Sequence, residues 1–243
     1  FKTRVDGSNI VLDSSSNAFS AAVTMIADAG GEAFGNITFV DSAGIDFATS
    51  AGSNGDLYIN SSTDGTVGGN LSVTATTGNI TDTVALAISG TSSFTTSATN
   101  GTIVLNTPAA LSGAVTLSTT GASGNATIDN GTTALNIAAS TIGGNLTVTS
   151  GAAAGITDSG TVTVAGNLVA TTDDNNGVID LGTTTVTGTM DLTSDGSGNV
   201  TIDNDTSDIV LIASEIGGTL TLTSGNVAGI TDTGTVTVAG NLV

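Results

Sequence analysis

Residues 143–169 read GGNLTVTSGAAAGITDSGTVTVAGNLV, and residues 217–243 read GGTLTLTSGNVAGITDTGTVTVAGNLV, nearly the same segment again. A fainter copy, GGNLSVTATTGNITDTVALAISG, occupies 68–90, and GNATIDN at 124–130 recurs as GNVTIDN at 198–204. A repeat with a fixed period of about 74 residues constrains the fold more than any other sequence feature, because each unit buries its apolar side only against its neighbours. The chain is therefore divided into irregular N-terminal coils over 1–67 and three copies at 68–142, 143–216 and 217–243, the last one truncated, within a single elongated domain 1–243.

Each unit subdivides. A glycine, a polar residue and an apolar residue recur at Gly69-Asn70-Leu71, Gly144-Asn145-Leu146, Gly166-Asn167-Leu168, Gly188-Thr189-Met190, Gly218-Thr219-Leu220 and Gly240-Asn241-Leu242. The steps between these corners predict two coils of about 22 residues and one of about 30 per unit, the long one running from Gly188 to Gly218. Inside a coil the pattern alternates with period two, as in Leu146-Thr147-Val148-Thr149, Ile156-Thr157-Asp158 and Val162-Thr163-Val164. Three short strands separated by Gly, Ser, Asn and Asp describe a triangular solenoid whose strands pair in parallel about 4.8 Å apart. The expected class is all-β, a parallel β-helix (solenoid) with three strands per coil of about 22 residues and longer coils of about 30. Roughly ten such coils make a rod on the order of 50 Å long. At the Gly-Asn corners, glycine is expected to supply positive φ, and asparagine to bond to the residue stacked on it.

Composition excludes much chemistry. The chain has no His and no Cys, which removes thiolate nucleophiles, imidazole bases and ordinary zinc sites. Lys2 and Arg4 are the only basic residues against 21 acidic ones, and the net charge of −19 repels nucleic acid and anionic membrane surfaces. There is no apolar run long enough to cross a membrane as a helix, and too few aromatic residues to form the girdles of a membrane barrel. Neither a nucleic-acid partner nor membrane insertion is expected.

Segments such as Ser15–Thr24 (SSNAFSAAVT), Pro108–Leu117 (PAALSGAVTL) and the GGNLTVTS and GTVTVAGNL runs resemble the filamentous haemagglutinin-like exoproteins. They are also similar in style to giant strand-repeat adhesins and autotransporter passengers of bacteria. The resemblance covers essentially the whole chain. It implies a right-handed parallel β-helix that is secreted to the cell surface and used for attachment, matrix building or envelope assembly. Expected partners are further coils of a longer chain, other copies of this one, or cell-surface glycans. The repeat is cut in mid-phase at Val243, which favours a piece of a longer chain over ends completed by neighbouring subunits.

No enzyme is expected. Lyases of this shape use basic residues, and only Lys2 and Arg4 exist, while the one adjacent acidic pair, Asp173-Asp174, lies in a turn sequence without a basic partner. Cofactors are not expected either, with calcium as the exception worth placing, since hard cations take several Asp, Asn and carbonyl oxygens. The candidate ligands are Asp173, Asp174 and Asn176, and Asp203, Asn204, Asp205 and Asp208. Several Asn-x-Ser/Thr triplets occur, including those beginning at Asn36, Asn60, Asn70, Asn79, Asn145 and Asn199, a pattern that strand alternation alone produces. Thr-x-Thr pairs at 147/149, 161/163, 221/223 and 235/237 raise an ice-binding alternative, but Val169 and Asp191 are expected to interrupt that array. The functions left are a structural or adhesive surface rod, then a carbohydrate- or cation-binding module of an adhesin, and last a polysaccharide-active enzyme.

Overall fold

The computed structural model describes residues 1–5, 7–27, 35–48, 56–59 and 66–243. The Asn60 triplet and much of the irregular segment 1–67 lie outside the described residues. Among the described residues every regular element is a strand, and every pairing between strands is parallel. The expected β-solenoid is the fold. Among the described residues three sheets run along it, two of 13 strands and one of three.

The alternation legible in the sequence decides which side of each strand is dry. Leu146–Ser150, Leu168–Thr172 and Met190–Ser194 each bury their first, third and fifth residues and leave the second and fourth at the surface. Parallel in-register pairing then stacks like positions into columns. One apolar column runs Ile45, Ile80, Ile103, Ala126, Leu146, Leu168, Met190 and Leu211, all 4% exposed or less. At roughly 25 cal/mol per Å² of apolar surface removed from water, such columns supply the main driving force for winding. Near the N-terminal end, Phe39, Phe47 and Phe94 fill the interior, with Phe47 and Phe94 edge to face at 6.2 Å.

From Leu71 onward the coils are short and nearly uniform. Stacked corner residues are 20 apart at Asn125 and Asn145, 22 apart at Asn145 and Asn167, and 23 apart at Asn79 and Thr102. Longer coils occur only toward the N-terminus, where Asn9 and Asn36 stack at a separation of 27, and Asn36 and Asn70 at 34. The long coil expected between Gly188 and Gly218 is corrected: these two glycines occupy different corners. Gly218 sits on Gly198 of the coil before it and donates its N–H to the Gly198 carbonyl at 2.9 Å.

The repeat unit is therefore not a whole number of coils. From Leu146, three turns along one column reach Leu211, and the copy of Leu146, Leu220, lies beyond it, one face on. Leu146–Ser150 and its copy Leu220–Thr223 stand in different sheets, and so do Ile156–Asp158 and Ile230–Asp232. Each unit makes room for this advance in two ways. Val115–Thr120 is followed in the next coil by two short strands, pairing through Val115 with Ile137 and through Ser118 with Thr141. At the same level the face built from Thr66–Val67, Ala87–Ile88 and Ala110–Leu111 comes to an end. One unit later Met190–Ser194 divides between Ile209–Leu211 and Ser214–Ile216, while the face carrying Ser140–Ile142, Val162–Val164 and Thr184–Val186 ends.

Candidate functional site

Two asparagines close the faces that end, a role that sequence reasoning assigned to neither Asn130 nor Asn204. Asn130 is fully buried above Leu111. Its Oδ1 accepts the Leu111 N–H at 2.8 Å, and its Nδ2 donates to the carbonyls of Leu111 (3.2 Å), Thr133 (3.1 Å) and Ala134 (2.9 Å). One side-chain amide thus presents a donor and an acceptor where the next strand's backbone is missing, so the Leu111 N–H and carbonyl both keep a partner. Asn204, its copy in the next unit, is also fully buried and does the same above Val186. Its Oδ1 accepts from Val186 N–H (2.7 Å), and its Nδ2 donates to the carbonyls of Val186 (3.0 Å) and Asp208 (2.6 Å). The available signal was the repeated Ile-Asp-Asn at 128–130 and 202–204, where an asparagine stands at an inward strand position.

At the surface, asparagines form ladders. Asn125 Oδ1 accepts the N–H of Asn145, Asn145 that of Asn167, and Asn167 that of Thr189, at 2.8, 2.8 and 2.9 Å. Asn9, Asn36, Asn70 and Thr91 form a second ladder. The expected stacking is present, with each Oδ1 taking the backbone N–H of the residue above. The reason for glycine at these corners is corrected. Gly69, Gly144, Gly166, Gly188, Gly218 and Gly240 are not among the positive-φ residues, and a Cβ at Gly144, Gly166 or Gly188 would strike the Asn Oδ1 of the coil below. Glycine is there for close approach. Positive φ falls at other turns, among them Gly155 and Gly196.

The acidic candidates lie in turns, apart from Asp203, which is the last residue of the strand Val200–Asp203. Asp174 Oδ1 accepts the N–H of Asn175 at 2.7 Å within its own turn, and Asn176 Oδ1 accepts from Ser197 N–H of the next coil at 3.0 Å, so both oxygens are engaged within the protein. Asp173 and Asp174 border a shallow hollow of about 380 Å³ with Asp129, Pro108 and Gly151. Asp203 Oδ1 accepts the N–H of Asp205, which has φ +47°, and Asp208 supplies a carbonyl to Asn204. Asp203 and Asp205 border another hollow of about 190 Å³ with Thr161, Thr183 and Thr185. The two acidic groups are thus not brought together. Among the described residues, no three acidic side chains converge as a metal centre.

Two further acids are buried. Asp41 is fully buried; its Oδ1 accepts from Phe19 N–H at 3.1 Å, and its Oδ2 has no partner among the described residues. Asp82 is 7% exposed and accepts the N–H groups of Asn106 and Thr107. Burial raises its pKa above 3.8, against the lowering effect of those bonds from Thr107 and Asn106, and the nearby Asp46 carboxylate raises it further. Hydroxyls also stack. Thr149, Thr171 and Thr193 form an unbroken column that ends at Glu215, while the neighbouring column passes from Thr147 to Val169 and Asp191, as expected. An open groove of about 440 Å³ is lined by Thr157, Asp158, Ser159, Thr161, Asp180 and Thr183. In it the Asp158 carboxylate already accepts from Gly182 N–H (2.8 Å) and from the Thr183 hydroxyl.

Parallel coils, apolar columns and Asn ladders define a repeat protein of the β-solenoid class. A family model matches residues 34–118, 123–173 and 197–243, well over half of the chain, and the chain belongs to the family described as repeats of unknown function (DUF5649). The last two matched segments start at 123 and 197, offset by the same period that the sequence shows. No curated protein and no solved structure matches the chain.

Proposed function

We propose that this chain is a secreted structural or adhesive element, a stiff rod of the kind found in filamentous haemagglutinin-like surface proteins. The observation that carries the proposal is the unbroken parallel pairing over ten strands, from Ile10–Leu12 to Leu220–Thr223, around a continuous dry interior. Bending or stretching such a rod breaks many ladder bonds together, so the fold suits load bearing. Its outer surface of Thr, Ser, Asn and Asp keeps the rod hydrated and offers contacts along its length. Negative-stain images of the native material test the proposal: regular filaments, lattices or extended rods support it, and compact particles overturn it.

A second reading, a carbohydrate- or cation-binding module of an adhesin, is favoured by the groove at Thr157, Asp158 and Asp180, where hydroxyls and carboxylates suit sugar hydroxyls. Calcium would use the Asp173 and Asp203 turns. Saturable binding on a glycan array that is lost in Asp180→Ala would place this reading ahead of the first. A calcium-dependent rise in thermal stability, absent in Asp173→Asn/Asp174→Asn, would support the cation form.

A further inference from the structure

We infer that repetition in this chain builds a screw: each repeat unit advances by one face, so the same outer surface is offered on different sides of the rod in turn. Thr149 and its copy Thr223 carry the inference. Thr149 stands in a column with Thr171, Thr193 and Glu215, three coils above it, whereas Thr223 pairs with Asp203 in the other sheet. The advance is built in by side-chain chemistry. Asn130 and Asn204 end one face per unit, and the strands Val115–Thr120 and Met190–Ser194 split to open another.

The consequence concerns partners, and it rests on the rod-like role proposed above. A one-sided rod, with copies aligned along one line, suits docking on a flat layer. A rod whose units turn by a face each presents equivalent contacts around its circumference, which suits cross-linking to neighbouring rods on several sides. The partner is therefore a second copy of this chain, whose own units turn by the same step and so meet these contacts at matching intervals.

The chain contains no cysteine, so spin labels can be placed cleanly. Two double variants share one site: Thr149→Cys/Glu215→Cys, on one column, and Thr149→Cys/Thr223→Cys, on equivalent positions of successive units. Dipolar EPR should give about 15 Å for the first pair, three layers of about 4.8 Å, and a separation longer by on the order of 10 Å for the second. Equal separations would show that the units align on one side and overturn the inference. Circular dichroism checks that each variant retains strand content. Should either variant lose its fold, Thr127→Cys/Asp191→Cys and Thr147→Cys/Thr221→Cys repeat the comparison on other columns. The outcome is independent of the electron-microscopy test, so a failed screw and a failed rod-like role are distinguishable.

Discussion

At the residue scale, single polar side chains hold positions that whole strands hold elsewhere. Asn130 makes four hydrogen bonds inside the rod, all to backbone groups, and of these the Thr133 carbonyl also accepts from the Ser150 hydroxyl. Asn130→Ala removes the side-chain partner of the Leu111 N–H and of the Leu111 and Ala134 carbonyls, at about 1–3 kcal/mol each before relaxation or water entry. Chemical denaturation should show a loss of about 3 kcal/mol or more for Asn130→Ala and for Asn204→Ala; a loss under about 1 kcal/mol would mean that these amides do not close the faces. Asp82 predicts a pH effect of definite sign. Its folded pKa lies above 3.8, so the native state binds the proton more readily than the unfolded chain. Its ionisation therefore costs stability at neutral pH, and that cost disappears as pH falls through the raised folded value toward 3.8. Asp82→Asn is expected to melt a degree or two above the natural chain at pH 7, with the difference shrinking to nothing by about pH 4. An advantage that grows as pH falls would contradict this.

At the element scale, corner and strand constrain one another. The Asn ladders fasten each corner to the one above, and the close approach that makes this possible leaves no space for a β-carbon. A methyl group at Gly166 meets the Asn145 Oδ1 and the backbone of Gly144, with backbone on one side that cannot swing away. Gly166→Ala should therefore lower stability by about 1–3 kcal/mol, although φ there is unremarkable. The same substitution at Gly182, where a Cβ meets nothing within 4 Å, should change the melting temperature by less than a degree or two. Equal effects at the two positions would show that crowding is not why glycine stands in the ladder. The strands themselves are short, mostly three to five residues, and none is stable alone. Their order comes from stacking, which is why like residues recur at like positions.

At the scale of the whole molecule, the unit of repetition and the unit of winding differ. Removing one complete unit, residues 143–216, joins Ile142 to Gly217 and recreates the local sequence Thr-Ile-Gly-Gly of the natural junction at 141–144. That deletion should retain cooperative unfolding and strand content per residue, measured by circular dichroism. Deleting 143–208, close to three turns, joins Ile142 directly to Ile209 without a corner and should give aggregated or poorly ordered protein. Were the shorter deletion the better tolerated, whole turns rather than whole repeat units would be the interchangeable segments of the rod. Charge acts at this scale too. Residues 83–128 carry no charged side chain, and twelve of the 21 acids fall within 129–232 with no basic residue among them. The other nine acids fall within 1–82 beside the two basic residues, so charge gathers toward both ends of the chain and leaves an uncharged middle, and cationic partners and counterions are drawn to the ends.

The sequence alone determined the fold class, because period-two alternation sets which side of each strand avoids water and a long repeat demands stacking of like on like. It also showed where most corners lie and that the acidic turns are turns. Only the tertiary structure decided how the unit meets the coil. Gly188 and Gly218 carry the same local pattern yet sit at different corners, and which residue lies above which is a property of pairing between coils. Burial of Asn130, Asn204 and Asp41 was only hinted at by the period-two phase, since a polar residue at an inward position beside a turn is enclosed only once the neighbouring coils close around it.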